Sequence, residues 1–186
     1  PLWPAGRTDP MRLGDHPVTL GLFFTVLVLF LVMGGYFPQE LAVPLPGSEI
    51  RPVLLFEFAA NPPHLVHIFG APGDPQPAAR LAGMNTGNAI DFLLMPSYGL
   101  LTLSFFIGLS RELAGGQWRL FGLMGIIAAA ADAVENTLLF GITSNLTDPM
   151  GEIAILPYPV WIKFGLLAVT CGGAAWAFVK LRRWLL

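Results

Sequence analysis

Hydrophobic and polar positions along the chain separate into four long apolar runs and one mixed stretch. The runs are residues 17–37 ("PVTLGLFFTVLVLFLVMGGYF"), 89–110 ("AIDFLLMPSYGLLTLSFFIGLS"), 118–142 ("WRLFGLMGIIAAAADAVENTLLFGI") and 159–181 ("PVWIKFGLLAVTCGGAAWAFVKL"). Each supplies the roughly 20 mostly apolar residues that a helix needs to cross a bilayer. The pattern predicts an all-α protein, a four-transmembrane-helix bundle forming a single domain over residues 1–186. The mixed stretch, residues 38–88, predicts an irregular outer loop, because "PQELAVPLPGSEIRP" and "GAPGDPQPA" are rich in Pro and Gly. Between these lies "VLLFEFAANPPHLVHIF", interrupted by Pro62 and Pro63 and apolar enough to place a short interfacial helix on the membrane surface.

The first run follows Arg7 and Arg12, as the core of a signal peptide would. Its apolar stretch is too long for one, and "MGGYF" is a poor small-residue cleavage site, so it reads as a retained helix. Met11 makes the first ten residues a candidate gene-start artefact.

Composition sharpens this picture. The chain is 54% hydrophobic and 12% charged, roughly half the charged share of a soluble domain. A net charge of −2 offers nothing to nucleic acid, so the lipid bilayer is the expected partner. Cys171 stands alone, which removes a disulfide framework and a thiolate metal site; it reads as a small core or lipid-facing residue. Seven basic residues (Arg7, Arg12, Arg111, Arg119, Lys180, Arg182, Arg183) fall on one side of the predicted spans, and two, Arg51 and Arg80, on the other. This bias predicts a multi-pass protein of the cell (inner) membrane with both termini cytoplasmic. The "NLT" sequon at 145–147 means little in such a chain.

Candidate chemistry lies inside the runs. Asp132 and Glu135 sit 14 and 17 residues beyond Trp118, so a rise of about 1.5 Å per residue places them roughly 21 to 26 Å up, in the outer half of the bilayer. Asp91 occupies the first turn of the antiparallel second span, with Tyr98 two turns deeper on the same face, and Lys163 the second turn of the fourth. Each charge facing lipid would cost about 2.5 to 3.5 kcal/mol at the bilayer centre and less near its edge. The cheaper arrangement turns them all inward, where three acids meet one lysine. That imbalance calls for a proton, a cation or a wet pocket.

Small residues on the same faces support the inward orientation: Gly125, Ala128 and Ala129 before Asp132, and Thr170, Gly173, Ala174 and Ala177 after Lys163. Asn136 shares the Asp132 face, and Asn85, Asn88 and Asp91 form a polar stripe leading inward. Pro96 cannot bond the Phe92 carbonyl, which predicts a kink and a free acceptor. A buried ion-pair network that merely fixes packing is the alternative to a ligand pocket, and both stay open at this point. Glu57, in the outer loop, can cap the pocket if residues 53–68 fold over the bundle. His64 and His67, at i and i+3, are weak candidates for a divalent metal, and no metal site is assigned.

Four blocks resemble a family of small uncharacterised bacterial membrane proteins: "LLFEFA", "IDFLLMPSYG", "DAVENTLL" and "WIKFGLL". The resemblance covers about residues 53–170 in order. It implies a four-helix membrane fold and marks the positions of Glu57, Asp91, Tyr98, Asp132, Glu135, Asn136 and Lys163, though not those of His64 and His67. It implies no activity.

Together these features predict a buried acidic pocket in the outer half of the bilayer that binds a lipid-soluble or cationic small molecule. If the molecule is transformed, Asp132 and Glu135 are the acid and base of a proton transfer. Asp91, Tyr98, Asn136, Lys163, Glu57 and Asn88 are the candidate ligand-binding residues. The rival reading is an accessory structural subunit packed against other membrane subunits of an electron-transfer or photosynthetic complex, which five Trp and fourteen Phe would suit. No cofactor is specified. None of His16, His64 and His67 falls in a predicted span, so no haem- or chlorophyll-type ligand is evident.

Overall fold

The computed structural model describes residues 23–31, 52–59, 62–69, 77–113 and 115–185. They form α1 (residues 23–31), α2 (Pro52–Glu57), α3 (Pro62–Phe69), α4 (Pro77–Glu112), α5 (Gln117–Ser144), α6 (Met150–Ile155) and α7 (Pro157–Leu185). Proline begins α2, α3, α4 and α7. At a first helical position its missing N–H costs nothing, and its fixed φ already suits the helix.

Three helical stretches are long and apolar enough to cross a membrane: Arg80–Arg111, Gln117–Ser144 and Met150–Leu181. At about 1.5 Å per residue even the 28-residue α5 exceeds the roughly 30 Å hydrocarbon thickness. Of the run expected to cross first, residues 17–37, only α1 is described, and the rest lies outside the described residues. The same holds for most of "PQELAVPLPGSEIRP" and for the loop between Phe69 and Pro77.

Two expectations need correction. The outer loop does not extend to residue 88, because α4 begins at Pro77. Its first turns, "PAARLAGMNTGN", are too polar to register as a span, yet Ala, Arg, Leu and Met are strong helix formers. Thr86 Oγ1 donates to the Ala82 carbonyl at 2.8 Å, so its hydroxyl is satisfied within the helix. Second, the loop holds two short helices rather than one. The chain leaves α2 at Phe58 and Ala59, and Pro62 opens α3. Pro96 sits inside α4, which continues through it.

Helix α5 is central and packs along both α4 and α7. Small residues make that approach close. A Cβ placed on Gly125 would lie 2.7 Å from Thr102 Cβ and against its hydroxyl, and one on Gly173 would meet the Phe121 ring at 2.5 Å. Outward faces are apolar: Leu93, Leu120, Val134 and Phe178 are all more than half exposed. Asp132, Glu135, Asn136, Lys163 and Thr170 are buried instead. This inversion, apolar outside and polar inside, suits a hydrocarbon surrounding.

Two apolar clusters bracket the polar residues. At one end α2 and α3 bring Phe56, Leu65 and Ile68 against Met84 of α4, Leu139 of α5 and Val160 of α7. At the other, Phe106 and Leu109 meet Trp118 and Ala177. Trp118 is fully buried there, with its ring 4.9 Å from that of Trp176.

Candidate functional site

Between the two clusters, Lys163 enters from α7 and straddles the carboxylate of Glu135 on α5. Its Nζ donates to Glu135 Oε1 at 2.8 Å and lies 2.7 Å from Oε2. It also donates to Asp132 Oδ1 at 3.3 Å. Asp132 Oδ2 accepts from the Tyr98 hydroxyl of α4 at 2.9 Å, so both oxygens of Asp132 are engaged. Glu135 is completely buried. The i, i+3 spacing of Asp132 and Glu135 puts both on the α5 face that meets α7.

A ladder of polar contacts links α4 and α5. Beyond Tyr98–Asp132, Asn136 Nδ2 donates to Asp91 Oδ2 at 2.7 Å, and Thr143 Oγ1 donates to Asn85 Oδ1 at 2.8 Å. Asn88 lies between these rungs, and its buried Nδ2 has no hydrogen-bond partner among the described residues. From outside the long helices, Glu57 at the end of α2 brings Oε2 to 3.9 Å from Lys163 Nζ. That oxygen is buried and accepts no hydrogen bond. Burial pushes the Glu57 carboxyl above its ordinary 4.5. The Lys163 charge pulls it back, while Asp132 and then Asp91 push it further up.

The structure therefore gathers Glu57, Asp132, Glu135 and Lys163 at one place, with Tyr98 bound to Asp132. Asp91, Asn136 and Asn88 form the adjoining ladder. Four carboxylates (Glu57, Asp91, Asp132 and Glu135) share one ammonium, a formal excess of three negative charges where the long helices alone implied two. Sequence reasoning missed the rung made by Thr143, although it lies seven residues after Asn136 and so on the same α5 face. It also missed Arg80, whose Nη1 donates to the Ile68 carbonyl at 3.1 Å and so ties the end of α3 to α4. An arginine at a helix C-terminus satisfies a carbonyl that has no partner within the helix.

No protein-family model, curated protein or solved structure matches this chain. The chemistry of the site is read from its own geometry. Among the described residues, no group of three His, Cys, Asp or Glu side chains could hold a metal ion. The side chains of His64 and His67 lie outside the described residues.

The Tyr98 contact gives a first prediction. Tyr98→Phe deletes the donor to Asp132 while leaving the ring in place, and should lower stability by about 1.5 to 3 kcal/mol, the range for a hydrogen bond to a charged group. Unfolding of Tyr98→Phe and of Tyr98→Phe/Asp132→Asn in detergent measures it. The second substitution should cost less in the Tyr98→Phe background than alone. Equal costs would show that the 2.9 Å contact carries no energy.

Proposed function

We propose that the chain is a four-span protein of the bacterial inner membrane with both termini in the cytoplasm. Its buried acid–lysine cluster binds a lipid-soluble cationic small molecule in the outer half of the bilayer. The observation that carries this reading is the surplus of carboxylate: Lys163 already serves Glu135 and Asp132, while Asp91 is bonded by Asn136 and has no cation within bonding distance among the described residues. Charge left unbalanced in a low-dielectric setting is a standing attraction for a positive group. Asn88, whose buried amide nitrogen has no hydrogen-bond partner among the described residues, adds a donor beside Asp91.

Thermal unfolding of the purified protein tests the binding. Tetraphenylphosphonium and dodecylamine should raise the midpoint, neutral analogues of equal size should not, and Asp91→Asn should remove the difference. A shift shared equally by neutral analogues would rule out charge recognition. A second reading, a purely structural ion-pair network, is supported by the 2.7 Å contact of Lys163 with a completely buried Glu135. It gains if no cation shifts the midpoint.

The topology has its own test. Gln117 and Thr147 are exposed at opposite ends of α5. Cysteines at these positions, in a Cys171→Ala background, should react with an impermeant maleimide from opposite sides of sealed vesicles. Reaction of both from one side would mean that α5 does not cross.

A further inference from the structure

Glu57 is the member of the cluster that does not belong to a long helix. It ends α2, the first of two short helices whose apolar residues close one end of the bundle over the polar cluster. Two attachments are unconditional. Phe56 and Ile68 are buried in the apolar cluster with Met84 and Leu139, and Arg80 holds the Ile68 carbonyl.

The third attachment differs in kind. Glu57 approaches Lys163 only to 3.9 Å, against 2.7 Å for Glu135 and 3.3 Å for Asp132. Its buried Oε2 accepts no hydrogen bond. Closing α2 over the bundle thus removes a carboxylate from water and brings it toward a lysine already shared by two nearer acids. The charged groups that face it are Lys163 on α7, Asp132 and Glu135 on α5, and Asp91 on α4. One attracts it and three repel it.

We infer that α2 and α3 form a pH-sensitive lid over the polar cluster, closed when Glu57 is protonated and loosened when it ionises. The sign follows from linkage. Closure raises the Glu57 pKa above the value it has in water, so the closed lid holds the proton more tightly than the open one. Low pH favours closure, and the closed state weakens as pH climbs through the raised value. Lys163 would reverse this sign only if it were free for Glu57, and the shorter contacts to Glu135 and Asp132 hold it. The lid does not depend on the ligand proposed above, since it concerns access alone.

Ala59 reports lid opening because it is fully buried against the bundle. Ala59→Cys in a Cys171→Ala background is treated with a water-soluble maleimide between pH 5 and 8. An exposed Thr147→Cys reference corrects for the thiolate fraction. The corrected rate should rise with pH, on the order of tenfold, and Glu57→Gln should hold it slow throughout. A flat or falling rate overturns the lid. So does a rise that survives in Glu57→Gln, which would assign it to His64 or His67. Hydrogen exchange of residues 52–59 and 62–69 in the unsubstituted protein, corrected for intrinsic rates, decides the question if the cysteine variant does not fold. Faster exchange at pH 8 than at pH 5 supports the lid, and equal or slower exchange overturns it.

Discussion

Lys163→Met should destabilise the protein by about 3 to 5 kcal/mol, the cost of removing one partner from a buried ion pair. Methionine keeps most of the volume, so the loss is chiefly electrostatic. It leaves Glu135, completely buried, and Asp132 without their cation, and removes the only ammonium among four carboxylates in the described cluster. Pairing Lys163→Met with Glu135→Gln should recover a larger part of the loss than pairing it with Asp132→Asn, because Glu135 lies at 2.7 Å and Asp132 at 3.3 Å and Asp132 keeps Tyr98. Reversible unfolding in mixed micelles supplies the two double-mutant cycles. Additive losses in both would show that Lys163 does not interact with α5.

Gly125→Ala should cost about 3 kcal/mol, at the upper end of the range for overpacking, despite adding a single methyl. Thr102 Cβ would lie 2.7 Å from the new carbon, and no rotation of the threonine side chain moves its Cβ. Thr102 Oγ1 is also committed to the Tyr98 and Gly99 carbonyls at 3.0 and 2.8 Å. The helices α4 and α5 must therefore separate, and the neighbouring Tyr98–Asp132 contact stretches with them. Thr102→Gly, at roughly 1 kcal/mol on its own for a helix interior, should restore room, so that Gly125→Ala costs much less in that background. If the cost is the same in both backgrounds, the tight approach at Gly125 is not what limits packing.

Much of this arrangement was legible in the sequence, because the bilayer makes hydrophobic length and charge placement unusually informative. The bounds expected for the third span, 118–142, differ little from Gln117–Ser144. Depth counting brought Asp132, Glu135 and Lys163 to one level from rise per residue alone, and the small residues Gly125 and Gly173 identified the packed faces. The start of α4 was hidden because hydropathy reports lipid contact, whereas "PAARLAGMNTGN" is helical for reasons of local propensity. The two-helix lid was hidden for a related reason. Proline marks a break in an apolar run, and the same residue marks the beginning of a helix, so Pro62 was read only as the former. The pairing of Asn136 with Asp91 rather than with Asp132 on its own face depends on how α4 and α5 are aligned, which no single-helix pattern contains.

The order of the helices along the chain bears on how the protein is made. Asp91, Asp132 and Glu135 belong to α4 and α5, and the lysine that neutralises two of them arrives only with α7, the last of the described helices to leave the ribosome. Until then an ionised acid facing lipid near the bilayer centre would cost about 2.5 to 3.5 kcal/mol. The antiparallel α4–α5 hairpin lessens this in advance, since the Tyr98–Asp132 and Asn136–Asp91 bonds are internal to it and can form before α7 exists. Glu135 has no such early partner. The cation that faces it in the described cluster, Lys163, arrives with α7, so the hairpin is assembled before the charge at its centre is answered.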